Sequence, residues 1–233
     1  MNILITVGGT QERIDAVRSI ANTSTGALGS RIAGCFAVFP EVEKIFYVSG
    51  PKAILPQTPK AQVVSITDTA NLEAEVRRLL AGYAIDVIVH CMAVSDFRVS
   101  KVTTARRVAS AGLEQAPEVD RGAKISSALA GDKLVLVLEE TPKIIGLFKA
   151  LAPDAILVGF KLMDGVTQAA LIDTAYALLR ENHCDFVLAN DAQGIHGDVH
   201  VGYLIDAGKN VRRYDTKEDI AAGIAERVRR ELL

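Results

Sequence analysis

Two clusters near the start of the chain have the make-up of a phosphate cradle. The apolar run Ile3-Leu4-Ile5-Thr6-Val7 ends in Gly8-Gly9-Thr10, and Asn22-Thr23-Ser24-Thr25-Gly26 precedes a stretch with helical apolar spacing. Glycines admit a ligand close to the backbone, hydroxyls donate hydrogen bonds, and a helix start offers unpaired N–H groups at the positive end of its dipole. Such a site suits a nucleotide or another phosphorylated ligand. Three more polar clusters each follow an apolar run. Asp96, beyond Val89, could reach ribose hydroxyls or a metal, or cap a turn. Gly159-Phe160 follows Val158, where main-chain groups could read a flat base. Asn190-Asp191 follows Leu188.

The elements that must position these clusters alternate between strand and helix. Ile3–Val7, Ile45–Val48, Val63–Ile66, Ile85–Val89, Leu134–Leu138, Ala155–Phe160 and Phe186–Leu188 read as strands. Leu28, Ile32, Cys35 and Phe36 share one face of a helix from about Thr25 to Phe39, which Pro40 ends. Asp68 caps a helix through Leu80, and Thr141-Pro142 reads as a cap with proline in the first turn. Val166–Leu179 and a last helix opened by Thr216 and Asp219 complete the series. Val201–Ile205 and Val211–Tyr214 flank a polar turn, giving an edge hairpin over 200–215. The order predicts one domain over 1–233: an α/β, Rossmann-like, doubly wound, mostly parallel sheet covered on both faces. Ligands of such sheets bind at the carboxyl ends of the strands, where all the clusters lie.

Residues 97–133 break the alternation. They show no apolar period but carry Arg98, Lys101, Arg106, Arg107, Arg121 and Lys124. A long polar insert beside a predicted site reads as a mobile basic lid over an anionic ligand or as a solvated loop. Composition narrows the classes further. The 233 residues carry 26 Lys and Arg against 28 Asp and Glu, so no general charge favours nucleic acid or an anionic membrane. No apolar run has membrane-spanning length, and Met1-Asn2-Ile3 lacks a basic leader, so a cytoplasmic location is expected. Cys35, Cys91 and Cys184 form no CxxC pair and read as reduced core cysteines. His90 and His183 flank strands and read as packed or solvated, and His196 and His200 lack a third ligand at metal spacing.

The blocks Gly8–Arg18, Ile20–Gly26, Met92–Phe97, Lys124–Ser127, Thr141–Ile145, Gly159–Leu162 and Leu188–Asp191 together resemble phosphopantothenoylcysteine synthetase, the phosphopantothenate–cysteine ligase family, over nearly the whole chain. The resemblance implies a ligase of coenzyme A biosynthesis. The carboxylate of 4′-phosphopantothenate attacks the α-phosphate of a nucleoside triphosphate with Mg²⁺ present. Pyrophosphate leaves, and the amine of cysteine then displaces the nucleoside monophosphate. CTP is expected over ATP, because bacterial members use CTP. It further implies a stand-alone bacterial form with a separate phosphopantothenoylcysteine decarboxylase, and a homodimer. Carried over by position, Asn22, Lys124 and Arg18 are the catalytic candidates. Asn22 faces the acyl group, Lys124 the triphosphate and Arg18 a phosphate or carboxylate. Gly8, Gly9, Thr10, Ser24, Thr25, Gly26, Ala93, Asp96, Gly159 and Phe160 are the nucleotide candidates, and Asn22, Asn190 and Asp191 the substrate candidates. No metal ligands are assigned. The chain departs from the family pattern at Ser126 and Ser127, where relatives carry further lysines, and at Phe97, where tyrosine is common. Basic duty in the insert then falls on Lys124 alone or is shared with Arg121.

An acyl-nucleotide route uses the substrate's own carboxylate as nucleophile, so a chain without a Ser–His–Asp or Cys–His set fits it. Two rivals remain in view. A nicotinamide-dependent reductase would want G-x-G-x-x-G and an acidic end to the second strand, yet that strand runs into Ser49-Gly50-Pro51-Lys52. A nonenzymatic nucleotide-binding module leaves Asn22, Lys124 and Asp96 without a task.

Overall fold

The computed structural model describes residues 1–127, 131–197 and 199–232. In chain order the elements are β1 (Asn2–Val7), β2 (Gln11–Arg13), β3 (Ser19–Ala21), α1 (Ala27–Ala37), β4 (Lys44–Ser49), β5 (Ala61–Ser65), α2 (Thr69–Gly82), β6 (Val87–His90), β7 (Phe97–Thr104), α3 (Ala105–Gln115), β8 (Leu134–Glu140), α4 (Ile145–Leu151), β9 (Ile156–Met163), α5 (Gln168–Glu181), β10 (Phe186–His196), β11 (Val199–Asp206), β12 (Val211–Thr216) and α6 (Lys217–Leu232).

Eight strands form one sheet in the order β12-β11-β10-β9-β6-β1-β4-β5. The six from β10 to β5 run parallel, and β11 and β12 add antiparallel at the edge. This is the mostly parallel, doubly wound α/β sheet that the alternation predicts. Successive strand side chains point to opposite faces, and β1 shows the consequence. Ile3, Ile5 and Val7 join Leu28, Ile32 and Phe36 of α1 and Ile220, Ile224 and Val228 of α6 in one core. Leu4 joins Leu72, Val76 and Leu79 of α2, Phe148 of α4 and Leu171 and Leu179 of α5 in the other. Chain order reverses between β1 and β6, and such a switch point is where sheets of this kind bind ligands.

Local side chains cap the starts of α2, α5 and α6. Asp68, Thr167 and Thr216 accept from the backbone N–H groups of Asn71, Ala170 and Asp219. One helix start differs from expectation. Thr141 does not cap α4: its hydroxyl donates to Ser95 O at 2.5 Å, its N–H to Asp96 O, and the helix opens only at Ile145. A tertiary bond to the strand-end loop outcompetes the local cap.

The larger correction concerns 97–133. Much of this span is ordered as β7 and α3, and β7 pairs antiparallel with β8 in a separate two-stranded ribbon. Leu134–Leu138 therefore forms a strand outside the main sheet. A bulge between Val99 and Lys101 shifts the register and breaks the period of two that would reveal β7 in the sequence. Val99, Val102 and Ile125 form a third, small core with Ile14, Val119, Leu134 and Leu136 packed on it. Ile14 lies between β2 and β3, which pair as a short hairpin within the polar loop after β1.

Candidate functional site

The loops after β1 and β6 are knitted together at the switch point. Ala93 N–H donates to Gly8 O at 2.8 Å, Thr10 N–H donates to Ala93 O at 3.2 Å, and Asn22 Nδ2 donates to the same carbonyl at 2.9 Å. The buried Thr10 hydroxyl accepts from Ser95 N–H at 2.8 Å. Gly9 sits so close to Asn22 that a Cβ there would lie 2.6 Å from Asn22 O, so only glycine leaves room for this crossing. Gly8, Gly9, Thr10 and Ala93 thus build the floor, and Asn22 is oriented by its amide nitrogen with its side-chain oxygen left for a ligand.

Above this floor is a cleft of about 660 Å³ lined by Asn22–Leu28, Cys91–Ala93, Phe160, Leu162, Asn190, Ala192, Ile195, His200 and Lys217. It gathers Asn22, Ser24, Thr25, Gly26, Ala93, Phe160 and Asn190 from four loops and strands that the sequence separates by up to 168 positions (190 − 22). Gly26 turns the chain into α1 with φ +71°, a left-handed conformation that a side chain would strain; it offers no side-chain cap, and only the Thr25 hydroxyl accepts, from Ala27 N–H at 3.4 Å. First-turn N–H groups of α1 therefore meet the cleft beside Thr23–Thr25, an arrangement suited to a phosphate oxygen.

The other candidates lie elsewhere. Asp96 is exposed and pairs with Lys143 at 2.5 Å. Gly159 faces away from the cleft, packed toward Ile145, Cys184 and Val187. The Asp191 carboxylate accepts from Gly165, Val166 and Gln193 N–H groups, which hold it below its ordinary pKa and tie the β9–α5 loop to β10. Arg18 is engaged with Asp15 through Nε at 2.8 Å and a terminal nitrogen at 2.5 Å, and it also donates to Ile125 O. Lys124, next to Ile125, is exposed and does not line the cleft.

Asp15 is the residue behind Arg18 that sequence reasoning passed over. Its side chain is fully buried and also accepts from Val17, Arg18 and Ile125 N–H groups. The Arg18 guanidinium holds its carboxyl well below the usual carboxylate range, aided by those backbone donors and opposed by burial. Leu28, Cys91, Met92, Leu162, Ala192, Ile195, His200 and Lys217 were also missed as cleft lining. Only the pairing of β10 with β11 brings His200 to Asn190, and that pairing depends on a bulge between Asn190 and Ile195. His90 is packed: its Nδ1 meets Thr6 Oγ1 at 2.7 Å, its ring lies against Phe148, and burial lowers its pKa to about 4. Burial raises the Cys91 thiol to about 12, so this cleft cysteine is a neutral apolar wall.

Residues 1–232 match the family described as DFP, DNA/pantothenate metabolism flavoprotein C-terminal domain. The Coenzyme A biosynthesis bifunctional protein CoaBC of Thermococcus kodakarensis is 32% identical over 232 residues, covering 99% of this chain and 51% of that protein. Its counterpart in Escherichia coli is 29% identical over 94% of this chain and 49% of its own length. The chain thus spans about half the length of the curated relatives it matches. A crystal structure of the DNA/pantothenate metabolism flavoprotein from Streptococcus pneumoniae aligns with TM-score 0.87 and 35% identity over 99% of both chains. A Cab2 variant in complex with phosphopantothenate-cysteine shares the fold, with TM-score 0.70 at 16% identity.

Proposed function

The chain belongs to the DNA/pantothenate metabolism flavoprotein C-terminal domain family, and we propose that it is a phosphopantothenate–cysteine ligase acting in coenzyme A biosynthesis. The observation that carries this reading is the single cleft holding Asn22, the Ser24–Gly26 helix entry, Ala93, Phe160 and Asn190 at the switch point of the sheet. The names of the relatives and the ligand of the Cab2 structure agree with it.

In this reading the triphosphate lies against Ser24, Thr25, Gly26 and the α1 N-terminus. Phe160 meets the base, and Asp96 meets the ribose once Lys143 yields. A carboxylate oxygen of 4′-phosphopantothenate forms a bond to the α-phosphorus as the bond to pyrophosphate breaks. Asn22 is held by Ala93 O in a position to orient the acyl group, and an amide can both donate and accept there. Lys124 offsets charge on the departing pyrophosphate. Cysteine nitrogen then bonds the acyl carbon, the acyl–phosphate C–O bond breaks as the nucleoside monophosphate leaves, and the ammonium nitrogen gives up two protons, one before attack and one as the amide forms. Arg18, engaged by Asp15 and Ile125, serves by fixing Lys124 relative to the cleft. Asn190 and Asp191 shape the substrate end. Among the described residues no three His, Cys, Asp or Glu side chains converge to hold a metal. Mg²⁺ therefore enters the reading with the triphosphate and its waters, its usual mode with nucleotides, and no step is assigned to a protein-held ion.

CTP is the nucleotide of this reading, on the resemblance alone. A homodimer with the basic segment of one subunit near the other's cleft also belongs to it, and a monomer by light scattering at assay concentration would remove it. The test of the whole is pyrophosphate release with 4′-phosphopantothenate, Mg²⁺ and CTP or ATP, with and without cysteine. Release that requires phosphopantothenate and turns over with cysteine is expected, faster with CTP. Preference for ATP would reassign the base site around Phe160. No release with either nucleotide would leave a nucleotide-binding fold without the ligase activity.

A further inference from the structure

One wall of the cleft carries an unfilled polar function. His200 is 6% exposed, and its Nε2 lies 3.2 Å from Asn190 Nδ2. An amide nitrogen only donates, so Nε2 accepts and Nδ1 carries the ring proton. That Nδ1 is the one buried side-chain nitrogen or oxygen among the described residues with no hydrogen-bond partner. Leaving a buried donor unpaired is costly, so a fold that keeps one beside a polar cleft has a use for it.

Its neighbour on that wall is Lys217, the first residue of α6. The ammonium contacts only Gly197 O, at 3.5 Å, and no carboxylate lies within ion-pair distance of it among the described residues. The first-turn acids of α6 are engaged elsewhere, Glu218 with Arg31 and Asp219 with the Thr216 hydroxyl. A 16-residue helix thus presents its positive end and a half-buried lysine to the cleft.

This wall is built rather than accidental. Asn190 pairs with Gly202 and Ile195 with His200, so the bulge Asp191–Gly194 brings Asn190 and His200 side by side. The Asp191 carboxylate anchors that bulge through three backbone donors. Gly202 lets α6 close on β11, since a Cβ there would lie 2.9 Å from Ile220 Cδ1. The imidazole is held near pKa 4 by burial, with Lys217 adding to the shift, so at neutral pH it is an uncharged donor beside a cation.

We propose that His200, Lys217 and the α6 N-terminus form a second phosphate-oxyanion subsite in the cleft, on the same face of the sheet as the α1 N-terminus. After a small turn of the ring, Nδ1–H and the Lys217 ammonium share the oxygens of one phosphate group. Two sources carry that chemistry in the ligase reading on which this inference rests: the pyrophosphate half of the nucleoside triphosphate, and the terminal phosphate of the phosphorylated acid.

The test is direct binding, which needs no turnover. Imidazole ¹⁵N resonances of the full chain, with His200 assigned by the His200→Asn variant, are followed during titration with inorganic pyrophosphate, 4′-phosphopantothenate or pantothenate. A saturable shift at His200 is expected with one or both phosphorylated probes and not with pantothenate. Lys217→Gln should weaken that probe by about tenfold, as loss of a charge-assisted bond does, while CMP affinity stays within about twofold. A response to pyrophosphate alone places the nucleotide's distal phosphates here, and a response to 4′-phosphopantothenate alone places the acid's phosphate here. No shift with either probe, an equal shift with pantothenate, or unchanged binding in Lys217→Gln would overturn the subsite. A chain that binds pyrophosphate at His200 yet releases none in the ligase assay would keep the subsite and lose the ligase reading.

Discussion

Asn22 and Asn190 reach the cleft from backbone locked to the eight-stranded sheet, whereas Lys124 hangs from a segment whose ties are side chains. Asn22 is bonded to Ala93 and Thr10, themselves joined to β1 and β6. The Lys124–Ile125 segment is held by Asp15, by Arg18, and by Ile125 in a small third core. Arg121 adds bonds to Arg13 O, Ile14 O, Ser100 O and Val99 O. The sheet supplies a floor that local fluctuation hardly moves. The β7–β8 ribbon supplies a basic arm whose position depends on a few charged bonds. In the proposed reaction, a site that closes on a triphosphate and later releases pyrophosphate benefits from one wall of each kind.

The largest test of this contrast is on the sheet side. Asn22→Asp keeps the shape but sets a negative group before the substrate carboxylate. Ligase turnover should fall by about 10²–10³, the scale of losing one placed donor, with nucleotide affinity nearly unchanged. Full activity in the variant would take Asn22 out of the chemistry.

Acid should loosen the two regions in a set order. His90, fully buried against Phe148, has a pKa lowered from 6.5 to about 4. A group neutral in the fold but protonated when unfolded contributes stability fully above pH 6.5, lost as pH falls toward 4, by about 3 kcal/mol in all. His200 is lowered to about 4 in the same sense. Asp15 is depressed far below other carboxylates, so its contribution is complete above the unfolded value near ~4 and fades only below it. Between pH 6.5 and 4 denaturant melts should show the sheet weakening while hydrogen exchange keeps the Ile125 amide protected. His90→Asn, which cannot titrate, should flatten that part of the profile. Loss of Ile125 protection before the sheet weakens would reverse the order.

A smaller effect isolates the arm. Asp15→Asn removes the charge that Arg18 holds but leaves an acceptor. Ligase kcat should fall by about tenfold, the scale of one charge-assisted bond, with the nucleotide KM unchanged and Ile125 exchange faster. Unaltered Ile125 exchange would show that the small core alone places Lys124.

The sheet half of this picture was legible in the sequence because its signals are local. Ile3–Val7 is apolar enough to be buried on both faces, and caps such as Asp68 and Thr216 lie within three residues of what they bind. Glycines at Gly8, Gly9 and Gly26 mark the turns that carry the floor. The arm was not legible for equally physical reasons. β7 hides its alternation behind a bulge, α3 buries no residue, and the bonds of Asp15 to Ile125 and of Arg121 to Arg13 and Ile14 span 107 to 110 positions in sequence. His200 was invisible because two strands and a bulge are needed to bring it to Asn190. Gly159 was expected at a strand end, but β9 runs on to Met163, and the period of two turns this mid-strand glycine away from the cleft toward Cys184 and Val187.

The smallest effect concerns where the two regions meet. Asp96 ends the β6 loop, and Lys143 follows β8, so their 2.5 Å ion pair joins floor to arm. Both side chains are more than three-fifths exposed, at 65% and 72%, and such a pair adds at most about 1 kcal/mol to stability. Lys143→Ala should therefore leave the melting temperature almost unchanged. Its effect on function has a definite sign if Asp96 accepts from ribose hydroxyls. Lys143 then competes with the nucleotide for one carboxylate oxygen, and removing it should lower the nucleotide KM by up to about fivefold, the equivalent of that 1 kcal/mol. A 2′-deoxynucleotide, with one hydroxyl fewer, should gain less from the same substitution. If the KM rises instead, Lys143 contacts the phosphates directly, and the arm reaches the nucleotide at two points, Lys124 and Lys143, rather than one.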